Sequence, residues 1–398
     1  MNNLFFHKLV FGFTITILLL FGCNRNGRIE RPIASNGSVM VLSPSGEILK
    51  LKINERTANL SNYIFPYFSN DGKQFLFLLN ASTLELHQFD MDSETHIKTI
   101  TLASEGPNGV APISGFYIYS LDSIYIGTMR RAIFLLDTNG IVRQKIYYKN
   151  TEIDTYPFTE PFPLIASHVH TPLILRNHKL YLFSIAQGSF TDLKTGNKLA
   201  KQRVCFEIDT VAHTGKFLPF TYPENYWSKG IIEPSLSRVY ANGEFVYSFF
   251  GDHNVYVTAD HITHKTYFAG SSLFSDFKYY PDTELSTDEY IRYFSETSGY
   301  WSIMYDSFRE VFYRFVIIGN EADSGISPEK AITFAPNFSI IVLDKNFNKL
   351  GETVFRNNTK YVFTNSFVAR DGLYISNNHP DNPENQEDYL SFTLFKLQ

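Results

Sequence analysis

SRVYANGEFVYSFF (237–250), followed closely by VYVTADHITHKTYFA (255–269), decides the fold. The first segment is an alternating strand, an Asn-Gly pair, and a second strand. Asn-Gly tolerates the left-handed backbone of a two-residue hairpin turn. The second segment is an apolar strand ending in Asp260, a turn, and a return strand, again a hairpin. Two hairpins in succession make a four-stranded antiparallel unit.

The same unit recurs along the chain. First hairpins read as FPYFSNDGKQFLFLL (65–79), FYIYSLDSIYIG (116–127), LILRNHKLYLFSI (173–185), IMYDSFREVFYRFVIIG (303–319) and SFVARDGLYIS (366–376). Second hairpins read as LHQFDMDSETHIKTITL (86–102), IFLLDTNGIVRQKI (133–146), VCFEIDTVAHTGKFL (204–218) and IIVLDKNFNKLGETV (340–354). Asp90, Asp137, Asp209, Asp260 and Asp344 end the first strand of each second hairpin, where a carboxylate accepts from the turn's own backbone. A four-stranded sheet repeated about six times and closed radially is a β-propeller. The expected architecture is therefore all-β, a six-bladed propeller over residues 38–398. SFTLFKL (391–397) gives the last unit a third strand but no fourth, and VMVLSPSGEILKLKI (39–53) reads as an unpaired N-terminal hairpin. Pairing the two ends closes the ring and removes both sheet edges.

Strands A to D of each blade are antiparallel, so the A–B and C–D turns share one face of the disc. The B–C loops and the D–A links share the other. The long insertions 149–166, 186–203, 219–235, 270–299, 320–338 and 377–390 are all of the second kind. Long loops in a compact domain carry function, so a ligand is expected on that face. Its candidate residues come from TEIDTYPFTEPFPLIAS (151–167), with Tyr156 and Glu160, and from TYPENYWSKGIIEPS (221–235), with Tyr222, Glu224, Tyr226, Trp227, Lys229 and Glu233. The third loop adds Tyr280, Arg292 and Tyr293, with Ser286 and Glu289 set as a capping box for a short helix. Arg130 and Arg131, in a tight B–C turn, have the chemistry to clamp a carboxylate or phosphate, and His168 and His170 share one side of a strand. Aromatic faces beside charged groups suit glycans or peptides. The competing reading is that the aromatics pack the loops onto the disc.

The composition excludes other classes. A net charge of −5 over 398 residues gives no basis for nucleic-acid binding. His261 and His264 have a metal-like spacing but no second cluster to complete a site, so no metal or cofactor is expected. No nucleophile elbow, phosphate-binding Gly loop or zincin helix is present. A carbohydrate-active hydrolase or lyase stays open as the alternative, with its carboxylates drawn from loop residues such as Asp154, Glu160, Glu224 and Glu233.

The N-terminus has its own logic. Lys8 precedes the apolar run LVFGFTITILLLFG (9–22), which at about 14 residues is too short to span a bilayer. It ends in Leu20-Phe21-Gly22-Cys23, the pattern of a bacterial lipoprotein processing site. Residues 1–22 thus read as a signal peptide, Cys23 as the acylated first residue of the mature chain, and 23–37 as a tether. The membrane, through that lipid, is then the first partner. The other cysteine, Cys205, lies in an apolar strand and reads as a buried hydrophobe.

With that leader, EGPNGVAPISGFYIYSLDSIYI (105–126) and LILRNHKLYLF (173–183) resemble a family of Bacteroidota lipoproteins known as domain of unknown function 4221. The resemblance implies a cell-envelope location and a six-bladed propeller, and it brings no activity to transfer. Surface-exported members of that group often carry an acidic run after the cysteine. Asn24-Arg25-Asn26-Gly27-Arg28 departs from it, which favours an outer-membrane protein facing the periplasm. The expected role is a binding or scaffolding lipoprotein that holds a glycan, a peptide or a partner protein.

Overall fold

Asn242 (φ 53°) and Gly243 (φ 89°) close the hairpin of the deciding segment, both in the left-handed region that such a turn requires. The computed structural model describes residues 39–61, 63–128, 132–148, 171–185, 199–280, 285–320 and 334–398, with the short strands β1 (Ile29–Glu30) and β11 (Phe162–Leu164). Strand β2 (Leu42–Lys52) precedes blade 1, which is β3 (Ile64–Phe68), β4 (Gln74–Asn80), β5 (Glu85–Asp90) and β6 (Thr95–Thr101). Blade 2 is β7 (Ile113–Ser120), β8 (Ser123–Thr128), β9 (Ala132–Leu136) and β10 (Val142–Tyr147). In blade 3, β11 and β12 (Ile174–Arg176) share one edge of β13 (Lys179–Ile185), followed by β14 (Cys205–Asp209) and β15 (Thr214–Phe217). Blade 4 is β16 (Leu236–Ala241), β17 (Glu244–Phe249), β18 (Asn254–Thr258) and β19 (Lys265–Phe268), with β1 alongside β19. Helix α1 (Thr287–Ser295) leads to blade 5, β20 (Gly299–Asp306), β21 (Val311–Ile317), β22 (Phe338–Asp344) and β23 (Lys349–Phe355). Blade 6 is β24 (Val362–Ala369), β25 (Gly372–Ser376), β26 (Tyr389–Leu397) and β2.

The chain is thus an all-β, six-bladed propeller of four-stranded antiparallel blades. Its core is a set of apolar layers between neighbouring blades. One, for example, packs Leu76 and Leu78 of blade 1 against Phe367, Phe392 and Leu394 of blade 6. The expected turn chemistry is present. The carboxylates of Asp90, Asp137, Asp209, Asp260 and Asp344 each accept two backbone N–H bonds from their own turns at 2.8–3.0 Å.

The N-terminal closure differs from expectation. Residues 39–53 form no hairpin: β2 is one strand, paired with β26 from Leu42↔Leu397 to Lys52↔Tyr389. A bulge between Pro44 and Ile48 holds Ser45, Gly46 (φ 89°) and Glu47, the residues whose composition reads as a turn. The reason is pairing. A hairpin would leave one of its halves without a partner, whereas a continuous strand pairs both halves with β26.

Neighbouring blades are also joined by polar clamps. Glu352 of β23 accepts from Ser271 Oγ (2.6 Å), Ser272 N (3.0 Å), Ser339 Oγ (2.7 Å) and Lys349 Nζ (2.7 Å). Burial pushes its carboxyl up, but the bonds from Lys349 and the three serines outweigh it and hold the group at about 2. A depressed carboxylate contributes stability above its unfolded pKa and loses it as pH falls. Glu352→Gln is therefore expected to lower the melting temperature at neutral pH. The gap to wild type should close as the pH falls from 4.5 towards 2. A gap that does not change with pH would rule out the carboxylate as its source.

Candidate functional site

The links before and after blade 4 build one described part of the long-loop face, and the insertion 377–388 of blade 6 is another. Pro223 to Gly230 make consecutive tight turns, with Tyr226 N bonded to Pro223 O (3.1 Å), Ser228 N to Asn225 O (3.0 Å), and Asn225 left-handed at φ 64°. This winding turns Tyr222 and Tyr226 inward onto Phe249, at ring distances of 5.2 and 5.8 Å. It leaves Glu224, Asn225, Ser228 and Lys229 exposed as a ridge. The capping box forms at α1, where Ser286 and Glu289 bond reciprocally. That helix lays Tyr293 on Tyr280 at 4.0 Å between centroids.

Clefts flank the ridge. The first, of about 840 Å³, lies between the ridge, the turn Gly251–Asn254 and the segment Ser275–Tyr279, with Phe268 of β19 on its wall. The second, of about 900 Å³, is bounded by Pro219–Tyr222, Trp227, Tyr256, His264 and Thr266. Together they run along blade 4 and the links on either side of it. The first cleft carries the aromatic faces of Phe268, Phe277 and Tyr279, the amides of Asn225 and Asn254, the carboxylates of Glu224, Asp252 and Asp276, and the ammonium of Lys229.

The turn Gly251–Asn254 is held from beneath by Arg314 of β21. Its guanidinium donates to the carbonyls of Asp252 (2.6 Å), His253 (2.8 Å), Asn254 (3.1 Å) and Ala269 (2.9 Å) and to Ser248 Oγ (2.9 Å). It also lies 3.4 Å from the centroid of the Tyr300 ring. Burial lowers Arg314 to about 10, so it remains a cation at neutral pH. His253 is fully committed as well. Nε2 lies 3.0 Å from the Ser275 carbonyl, which only accepts, so Nε2 carries the proton and Nδ1 accepts from Tyr300 Oη at 2.6 Å. Burial pushes its pKa down, favouring this neutral form. Asp252 accepts from Tyr256 Oη (2.6 Å) and Asn254 N (2.8 Å). The exposed charges on the lining of this cleft are chiefly Glu224, Asp276 and Lys229.

The residues singled out in the sequence divide into distinct environments. Glu224 and Lys229 are exposed on the ridge, and Trp227 is half-buried beside the second cleft, 4.6 Å from the Tyr226 ring. Tyr222, Tyr226, Tyr280, Tyr293 and Glu233 are buried. Tyr222 donates to the Pro234 carbonyl, Tyr293 to that of Lys278, and Tyr226 Oη accepts from Gly251 N. Glu233 accepts from Ser235 (2.6 Å), Tyr280 (3.2 Å) and Tyr290 (3.3 Å), tying the links together, and burial pushes its carboxyl up. Arg292 is exposed on α1, away from both clefts. Cys23, Arg130, Arg131, Tyr156, Glu160, His168 and His170 lie outside the described residues.

His261 is a buried seam residue, bonded to Tyr247 Oη at 2.8 Å and stacked on Tyr181, and burial takes it down to about 3. Among the described residues no group of three or more His, Cys, Asp or Glu side chains gathers as a metal site. Sequence reasoning missed Asp252, Asn254, Phe268 and Arg314. The available signals were the four-residue polar turn GDHN (251–254) and a lone arginine inside the apolar strand VFYRFVIIG (311–319).

A family model described as "Domain of unknown function (DUF4221)" matches residues 40–354. The chain belongs to the DUF4221 family. The match starts just before β2 and stops within β23, so the three strands that complete blade 6 of this DUF4221 chain lie beyond it. A solved DUF4221 member from Bacteroides vulgatus is 25% identical, with a TM-score of 0.78 over 91% of this chain and 99% of that one. A Bacteroides fragilis protein thought to be exported shares the fold at 13% identity, with a TM-score of 0.52 over 92% and 99%. No curated protein matches the chain.

Proposed function

We propose that this DUF4221 chain is an exported, lipid-anchored cell-envelope protein that binds its ligand without transforming it, on the long-loop face. Gly22-Cys23 after an apolar leader supports the anchor, and the fold shared with a protein thought to be exported agrees with it. The observation that carries the binding reading is the cleft along blade 4. The aromatic side chains of Phe268, Phe277 and Tyr279 line it together with exposed Glu224, Asn225 and Lys229. Flat apolar area beside directed polar groups suits a glycan or an extended peptide. The ligand is neutral or cationic, because carboxylates outnumber the single lysine on the lining. The buried Glu233, bonded to three hydroxyls, serves packing and not hydrolysis. The anchored protein belongs to the outer membrane on its periplasmic side.

Thermal unfolding of the full chain against panels of glycans and peptides tests this. A ligand at about 100 times its Kd adds about 2.7 kcal/mol to stability. The expected upward shift in melting temperature disappears in Phe268→Ala and Glu224→Ala, each compared with its own ligand-free protein. A shift that survives both variants moves the site elsewhere. No shift with either panel points to a protein partner, and release of cleaved sugar would replace binding with hydrolysis.

A further inference from the structure

We infer that the short-turn face of the disc lies against a lipid surface, with the long-loop face turned away from it. This rests on the anchoring reading above. Strand β2 begins at the short-turn face, because Leu42 pairs with Leu397 at the end of β26 farthest from the B–C loop. Ile29–Glu30 run parallel to Thr266–Tyr267 at the start of β19, so the stretch that leads back to Cys23 also meets the disc from the short-turn side. Five residues separate Cys23 from Ile29. They reach at most about 20 Å, enough to tether the disc but not to fix its orientation.

The orientation comes from the surface. Phe68, Tyr119, Ile141, Val211, Ile262 and Phe308 remain exposed, from 38% for Phe68 to 74% for Val211. Each sits in or beside an A–B or C–D turn, and together they come from blades 1 to 5. Val39 and Val41, also exposed, lie where the tether joins. The other large apolar side chains that stay exposed among the described residues lie on the outermost strands, and none lies in the described long loops. Tight turns ordinarily carry polar residues, so exposed apolar tips repeated on the described turns of five blades have a common cause. They are spread over the turns of five blades rather than gathered on one. An apolar cavity of about 210 Å³ lies on the same side, at the turn end of the innermost strands, with Phe68 and Phe308 among its walls. Charges on these turns are mixed, Lys73 and Arg370 against Asp71 and Asp371, so headgroups of either sign are tolerated. Each side chain binds weakly, but the tether supplies the effective concentration that lets them act together.

The test uses the full-length protein, purified from membranes and reconstituted into vesicles of phosphatidylethanolamine and phosphatidylglycerol. Val211→Cys and Ile262→Cys place a polarity-sensitive fluorophore on the short-turn face, and Glu224→Cys and Lys229→Cys place it on the loop face. Cys205 is buried and does not compete for label. The expected result is blue-shifted emission and quenching by lipid-borne quenchers at 211 and 262 only, with 224 and 229 open to aqueous iodide. Serine at Tyr119, Ile141 and Phe308 should weaken that contrast severalfold without releasing the protein from vesicles. Equal quenching on both faces, with mass spectrometry showing acylated Cys23, overturns the orientation and leaves the anchor standing. An unacylated Cys23 and no vesicle association sink the anchor and this inference together. Labels protected in native membranes but wet in pure lipid replace the lipid surface with a protein.

Discussion

Deleting residues 39–52 is expected to leave a chain that accumulates as aggregate and yields no cooperative melting transition. Those residues supply the whole outer strand of blade 6. Leu42, Leu49 and Leu51 are at most 5% exposed, and their loss removes about 2 kcal/mol of burial each. The pairing with β26 goes with them, as do bonds from Met40 N to Leu350 O (3.0 Å) and from Leu42 N to Thr353 Oγ1 (2.8 Å) on blade 5. Against a net stability of about 5–15 kcal/mol, that sum is decisive. It also bares β26, YLSFTLFKL, as a long apolar edge open to pairing with other chains. Leu51→Ala should be milder, costing about 2–5 kcal/mol while the soluble ring persists. A circular permutant gives the complementary result. Val41 and Gln398 already exchange backbone bonds at 3.0 Å. A short glycine-rich linker from 398 to 39, with new ends at the exposed Asp92–Ser93 turn, should fold normally. A deletion mutant that is soluble and melts cooperatively would show that the ring does not need this closure.

Arg314→Met should give a large loss for a single substitution, about 3–5 kcal/mol or about 4–7 °C in melting temperature. Methionine matches the stem but leaves the carbonyls of Asp252, His253, Asn254 and Ala269 without their donor. Buried carbonyls stripped of their partner pay the full desolvation cost. Arg314→Lys should fall between, since an ammonium cannot fan across four acceptors. Because those carbonyls shape the turn that borders the cleft, the ligand-induced shift should shrink alongside the stability. Arg238, the corresponding clamp between blades 3 and 4, holds fewer and longer bonds, to Tyr181 O (2.9 Å), Pro172 O (3.1 Å) and Leu182 O (3.3 Å). Its methionine variant should lose less. An Arg314→Met protein that melts within about 2 °C of wild type would remove the clamp from the account of the site.

The fold was legible because its determinants are local. Asn242-Gly243 selects its turn from backbone sterics alone, and the five turn aspartates need nothing beyond the next three or four residues. Antiparallel order then assigns every loop to a face without any knowledge of distances. The bulged closure was not legible: Ser-Pro-Ser-Gly-Glu has the composition of a turn, and only the waiting edge of β26, hundreds of residues away, keeps the strand extended. The aromatic loops were ambiguous for a related reason. Tyr222 and Glu224 stand two residues apart, yet one is buried on Phe249 and the other exposed, a difference set by the winding of the link over blade 4.

By itself the sequence determined the repeat, the blade count, the turn chemistry and the face on which the long loops gather, since each follows from contacts within about fifty residues. Tertiary structure alone decided which loop side chains line a cleft and which fill the core. It alone joined Arg314 of blade 5 to the turn of blade 4, and decided which apolar turn residues stay exposed. These depend on where separate blades meet when the ring closes, and no short window of sequence carries that geometry.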